Sequence, residues 1–269
     1  MSTLLLETRD LSVTINHISI LRSISFFIKS GECIALIGPS GSGKSIMAKA
    51  ILQLLPKNAR YSGGILWKNQ SISNYSEKEF RSIRGKEIAL IFQNSGTALN
   101  PTMKIGYQIV EIFREHATIL PEEQIEEKVE ELLTEVGLSK SIYTQYPHQL
   151  SGGMQQRVCI AMALAMSPEL LIADEPTTAL DPILQHQILS LLQELQKKRC
   201  MSILFITHDL RLIRKFCSRA LIINKGKIVE SATVEALFSH PNHPITRKLI
   251  QSIPTLPKKS EKATVTTTI

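Results

Sequence analysis

The chain has 269 residues, 43% of them apolar and 20% charged, the balance of a globular protein able to build a sizeable core. Its formal net charge is +7, partly from Lys258, Lys259 and Lys262, and no Lys/Arg stripe is interleaved with aromatics, which argues against nucleic acid as a partner. Cys33, Cys159, Cys200 and Cys217 form no C-x-x-C pair, and all but Cys200 lie in or beside apolar segments, as expected of reduced, mostly buried thiols in a cytosol rather than disulfides or zinc ligands.

The opening MSTLLLETRD has only three consecutive leucines, too few for a signal peptide's apolar region. Residues 4–30 read as strands with turns between them, with Ile18, Ile20, Ile24, Phe26 and Ile28 alternating along one strand. Residues 33–37 form a short apolar strand entering a glycine-rich turn, and a helix is predicted from 44 to 55. Another short strand is predicted at 90–92, and residues 94–158 read as helical throughout. The strongest helix there spans 121–136, with Pro121 in the first turn, Glu122 and Glu123 complementing the dipole, an apolar face of Ile125, Val129, Leu132, Leu133 and Val136, and Gly137 as the stop.

The longest apolar run, 158–166, is about half the length a membrane span needs, so any membrane role is peripheral. Strands at 170–173, 202–206 and 221–223 alternate with helices, which implies a parallel sheet. No internal repeat is evident. The domain expected at 1–253 is therefore an α/β core with a helical insertion, followed by a loose Pro-, Lys- and Thr-rich tail at 254–269.

Gly38-Pro39-Ser40-Gly41-Ser42-Gly43-Lys44-Ser45 fits G-x-x-x-x-G-K-[ST]. Phosphates need several donors at once, and glycines let backbone N–H groups turn inward without Cβ clashes. The helix starting at Lys44 adds its positive end; Lys44 is placed to reach the β- and γ-phosphates and the Ser45 hydroxyl to ligate Mg²⁺. A bare glycine-rich turn is the alternative, but a strand precedes this one and a helix follows, as phosphate binding requires.

The strand at 170–173 ends in Asp174 and Glu175. At the C-terminal end of a parallel strand they face the same crevice as the phosphates. Asp174 suits the Mg²⁺ shell and Glu175 suits polarising an attacking water. Leu150-Ser151-Gly152-Gly153-Met154-Gln155-Gln156 opens a helix and makes a second anion site from a Ser hydroxyl, glycine amides and a helix N-terminus, about 110 residues from the first. One bound nucleotide does not obviously need both.

With these motifs the chain resembles an ATP-binding-cassette (ABC) ATPase over residues 4–250. LSGGMQQ resembles that family's signature motif, Gln93 its Q-loop glutamine, Asp174 and Glu175 its Walker B pair, Ala179-Leu180-Asp181 its D-loop and His208 its switch histidine. The resemblance implies a P-loop ATPase core with a parallel sheet, an N-terminal antiparallel β subdomain and an inserted helical subdomain. It implies a head-to-tail dimer in which ATP and Mg²⁺ are held between one subunit's loop, extended to Ile46, and the partner's Ser151, Gly152 and Gly153. Gln93 is then a sensor of Mg²⁺ and of the attacking water, His208 a contact to the γ-phosphate, and Asp181 a link between sites.

RGKEIALIFQNSGTALNP, ADEPTTALD and His243-Pro244-Ile245-Thr246-Arg247-Lys248-Leu249 resemble segments of dipeptide, oligopeptide and nickel importer ATPases. That branch implies a homologous second ATPase subunit, two transmembrane permease subunits and an extracytoplasmic substrate-binding protein, with this chain on the cytoplasmic face of the membrane. The absence of a cysteine-rich C-terminal extension inclines the reading toward nickel or metal chelates over peptides. The stretch Val13-Thr14-Ile15-Asn16-His17 holds no aromatic, leaving Ile15 or His17 to pack on adenine in its place.

Three rivals stand beside this reading. A P-loop GTPase or kinase leaves LSGGMQQ unexplained, and Asn224-Lys225-Gly226-Lys227 lacks the Asp of a guanine reader. A non-transport ABC ATPase of DNA repair or translation calls for long coiled-coil insertions or two cassettes. A regulatory module that holds ATP without turnover sits badly with Glu175 and His208.

Overall fold

The structure is a computed structural model that describes residues 3–93, 95–116, 120–178 and 180–253. In chain order the elements are β1 (Leu4–Ile15), β2 (Ile18–Lys29), β3 (Cys33–Ile37), α1 (Lys44–Ile51), β4 (Ala59–Trp67), β5 (Gln70–Ser71), α2 (Glu77–Arg81), β6 (Ile88–Ile91), α3 (Ser95–Ala98), α4 (Ile105–Glu115) and α5 (Glu122–Glu135). Two 3₁₀ turns, Lys140–Thr144 and Pro147–Gln149, lead to α6 (Gly152–Leu164). There follow β7 (Leu170–Asp174), α7 (Pro182–Arg199), β8 (Ser202–Thr207), α8 (Leu210–Ile213), β9 (Arg219–Asn224), β10 (Lys227–Thr233), α9 (Val234–Ser239) and α10 (Pro244–Gln251).

Two sheets organise the chain. The antiparallel one runs β2-β1-β4-β5; the other runs β10-β9-β3-β8-β7-β6, parallel except where β10 pairs antiparallel with β9. The central strands β3, β7 and β8 are buried at every position and almost wholly apolar because both faces are covered. Along β3, β7 and β8 the period of two divides each strand between two cores: Cys33, Ala35, Ile37, Leu171, Ala173, Ile203 and Phe205 pack with the helices, while Ile34, Leu36, Leu170, Ile172, Leu204 and Ile206 pack toward the antiparallel sheet.

The antiparallel sheet departs from the alternation expected for β2. From Ile24 to Ile28 the expected residues are buried, but before that Leu21 is buried, Ile20 is half-buried and Ile18 is 65% exposed. The register explains the slip. Leu11 pairs with Ile24 and Val13 with Leu21, so β2 carries one extra residue, Ser23 has a left-handed φ of +52°, and every side chain before the bulge changes face.

The helix at 44–55 ends earlier than expected, at Ile51; Gln53 takes φ +52° and its amide bonds the Ile72 carbonyl at 2.8 Å. The helix at 121–136 is α5, with Pro121 as its cap and Gly137 leaving it at φ +74°. The helical stretch opening at Gly152 runs on to Leu164, beyond 158. Arg199 of α7 ties α5 and α6 to the core, pairing with Glu135 and donating to the Leu164 carbonyl at 2.9 Å. Cys33, Cys159 and Cys217 are buried and Cys200 is exposed. The expected tail at 254–269 lies outside the described residues.

Candidate functional site

Parallel β3, β8, β7 and β6 lie side by side, so their C-terminal ends meet along one edge. That edge presents the loop at 38–45 after β3, His208 after β8, Asp174 and Glu175 at the end of β7, and Gln93 after β6. Converging strand ends of this kind form the crevice in which open α/β sheets bind ligands.

The loop depends on its glycines. Gly43, the residue before α1, has φ +106°, and a Cβ there would stand 2.7 Å from the Leu21 Cδ2. No side chain caps α1 and its first turn holds no acid, so its N-terminal amides keep their capacity for an anion. Lys44 is 6% exposed and folds back over the loop, its Nζ donating to the carbonyls of Gly38 at 2.9 Å and Pro39 at 3.1 Å. Burial lowers its pKa, opposed by the charges of Glu175 and Asp174. The Ser42 hydroxyl is buried without a hydrogen-bond partner. Pro39, Ser40 and Gly41 are exposed at the crest, while Ile46 packs half-buried toward the antiparallel sheet.

Asp174 is 7% exposed, and among the described residues its buried Oδ1 has no hydrogen-bond partner. Burial raises its pKa, partly offset by the Ser45 hydroxyl on its carboxylate, with Glu175 adding a further upward push. A buried carboxylate oxygen left without a donor beside a hydroxyl suits a hard divalent cation, so the residues fit Mg²⁺.

Glu175 has φ +49°, a left-handed backbone rare for its residue type. Its Oε2 accepts from Gln93 Nε2 at 3.1 Å and from the Thr178 hydroxyl at 2.9 Å, and its Oε1 lies 3.2 Å from His208 Nδ1. Gln93, Glu175 and His208 thus meet through one carboxylate. Thr178 was not legible as a site residue; the available signal was a hydroxyl three residues beyond a strand-end acid.

Ser151 caps α6 by accepting from Met154 N, and Gly153 backs onto Leu184. Ser151 and Gly152 are exposed, and nothing lies within 4 Å of a Cβ built on Gly152. Among the described residues, no hydrogen bond joins 151–153 to 38–45. Asp181 caps α7, its Oδ1 accepting from Ile183 N and Leu184 N at 3.0 Å each; Ala179 lies outside the described residues. Asn16 and His17 make the β1–β2 hairpin turn with φ +49° and +65°, and His17 is exposed.

The family profile described as "ABC transporter" matches residues 21–178. The chain is 45% identical over 268 residues to the oligopeptide transport ATP-binding protein OppD of Bacillus subtilis, covering 97% of this chain and 75% of that protein. This chain belongs to the ABC transporter family. It is also 42% identical over 258 residues to the dipeptide transport ATP-binding protein DppD of Lactococcus lactis subsp. cremoris, covering 93% of this chain and 74% of that protein.

Among solved structures, the ABC cassette resembles the dimeric post-hydrolysis state of the ATP-binding cassette MJ0796 bound to ADP and Pi (TM-score 0.75, 27% identity, 85% of this chain and 98% of that one). It resembles equally cbiO1 of Clostridium perfringens, part of a cbiONQ transporter complex (TM-score 0.77, 29% identity, 94% of this chain and 96% of that one). The cassette is an ATPase subunit of an ABC importer. No helix among its described residues is long and apolar enough to cross a membrane.

Proposed function

We propose that this ABC ATPase powers uptake of di- or oligopeptides, with Glu175 as the base that orients the attacking water. The observation that carries the reading is the Glu175 carboxylate, held by Gln93, Thr178 and His208 beside Asp174, Ser45 and Lys44. In this reading residues 38–46 cradle ATP, with Lys44 exchanging its loop carbonyls for phosphate oxygens. Ser45, Asp174 and Gln93 are the residues that would hold Mg²⁺, which when bound would supply neutralisation of phosphate charge. Water attacks the γ-phosphorus, Glu175 accepts its proton, the bond to the ADP oxygen breaks, and His208 steadies the γ-phosphate.

Ser151, Gly152 and Gly153 close over ATP held by the partner's loop, so the working unit is a head-to-tail pair. The exposure of Ser151 and Gly152, and the absence among the described residues of a hydrogen bond from 151–153 to 38–45, support that arrangement. The partner is a homologous ATPase subunit. Two transmembrane permease subunits and an extracytoplasmic substrate-binding protein complete the importer, with this chain on the cytoplasmic face.

A groove of about 630 Å³ lined by Leu90, Phe92, Ala98, Ile112 and Met162 adjoins Gln93 and suits a helix of the membrane subunit. The peptide descriptions of OppD and DppD favour peptide over nickel or metal chelate as cargo. The test is the assembled importer in vesicles with its binding protein. Stimulation of ATP hydrolysis by di- or oligopeptides is expected; stimulation by a nickel chelate instead would move the cargo reading, and stimulation by neither counts against it.

A further inference from the structure

The turn after β7 holds Glu175 in a backbone conformation that needs support. At φ +49° a glutamate persists only where its surroundings over-determine it. Three bonds do so: Glu175 N donates to the Ile206 carbonyl at 3.0 Å, Thr178 N donates to the Glu175 carbonyl at 3.2 Å, and the Thr178 hydroxyl donates to Glu175 Oε2 at 2.9 Å. Thr178 therefore grips both the main chain and the side chain of one residue. The residue before it is fixed too, since Gln185 of α7 donates to the Thr177 carbonyl at 3.1 Å.

The other two partners of the carboxylate differ in kind. Gln93 arrives from the end of β6 and His208 from the end of β8, whereas Thr178 lies in the same turn as Glu175 and moves with it. In the hydrolytic role proposed above, on which this step rests, Gln93 turns to Mg²⁺ and His208 to the γ-phosphate. Both then leave the carboxylate.

We propose that Thr178 is the positioning residue for hydrolysis: its hydroxyl anchors Glu175 Oε2 when Gln93 and His208 are drawn to the nucleotide, leaving Oε1 free to take the proton of the attacking water. The hydroxyl is never consumed and exchanges no proton. It fixes the orientation in which the carboxylate meets water, and a misplacement of about 1 Å at such a group costs on the order of 10²-fold in rate.

The test is steady-state ATP hydrolysis and ATP binding by the assembled importer carrying Thr178→Val, which keeps the shape and loses the hydroxyl, beside Thr178→Ser and Glu175→Gln. Thr178→Val is expected to lower kcat by about 10-fold to 10²-fold with KM for ATP within about twofold. Thr178→Ser, which restores the hydroxyl, should recover activity to within about threefold of the parent. In a Glu175→Gln background, Thr178→Val should cost nothing further.

Parent-like turnover in Thr178→Val while Glu175→Gln is inactive would overturn the positioning role and leave the base assignment standing. Parent-like turnover in Glu175→Gln would remove the reading beneath it. Loss of ATP binding in Thr178→Val, or failure of Thr178→Ser to recover, would make the residue a structural support of the turn only. If Thr178→Val does not yield folded protein, Thr178→Ala is read against the same outcomes.

Discussion

Lys44 Nζ stands 2.9 Å from the carbonyl oxygen of Gly38, the first residue of the loop that Lys44 closes. A buried ammonium needs partners, and here the loop's own carbonyls supply them. The same carbonyls hold the charge where phosphate oxygens would enter. Lys44→Ala is expected to weaken ATP binding by about 10²-fold, the scale of losing charge-assisted hydrogen bonds. Isothermal titration reads this directly, and an unchanged dissociation constant would sink the assignment of the loop.

Asp174 points to a site whose stability was given up for binding. Its carboxyl pKa is raised by burial, so the folded protein holds that proton more tightly than the unfolded chain. Stability of the nucleotide-free protein from this group is therefore present at low pH and is lost as pH rises from the ordinary carboxylate range through the folded value. A carboxylate oxygen buried with no donor among the described residues is a net cost to the fold. Asp174→Asn should raise the melting temperature of the nucleotide-free protein by about 1–3 °C and remove the further stabilisation that Mg²⁺ with ATP confers. A melting temperature below the parent's, or an intact response to Mg²⁺ with ATP, contradicts this.

Gly43 is a loop position with little tolerance for a side chain. A side chain there must adopt φ +106° and meet Leu21 Cδ2 at 2.7 Å. Gly43→Ala is expected to destabilise the fold by about 1–3 kcal/mol, read from urea unfolding midpoints. Measured against Leu21→Ala alone, Gly43→Ala should cost less than it does in the parent, because the Cδ2 that its Cβ meets is gone. No relief would show that backbone strain alone sets the cost.

Much of this was legible from residues whose types have fixed physical demands. Residues 38–45 announce themselves because left-handed glycines, a lysine and a helix start are needed together. Asp174 and Glu175 are legible because an apolar strand ending in two acids, in a chain that also carries the loop at 38–45, points to a shared polar crevice. What the sequence concealed depends on distant geometry. The register of β2 turns on bulges at Asp10 and Ser23, both left-handed and joined through Ser23 Oγ and Asp10 Oδ1 at 2.7 Å, and no period reveals them. The strand β4 is interrupted by Ser62, Gly63 and Gly64, with Gly63 at φ +94°, and so lacks alternation. Thr178 lay in plain view within ADEPTTALD, but its contact exists only because Glu175 turns left-handed.

The central claim is that hydrolysis passes through Glu175, and Glu175→Gln in the assembled importer tests it most directly. The substitution keeps the shape and the contacts to Thr178 and Gln93 while removing the base. ATP turnover should fall by about 10²-fold or more while the dissociation constant for ATP stays near the parent's. Turnover at the parent rate, with ATP binding intact, would contradict the account.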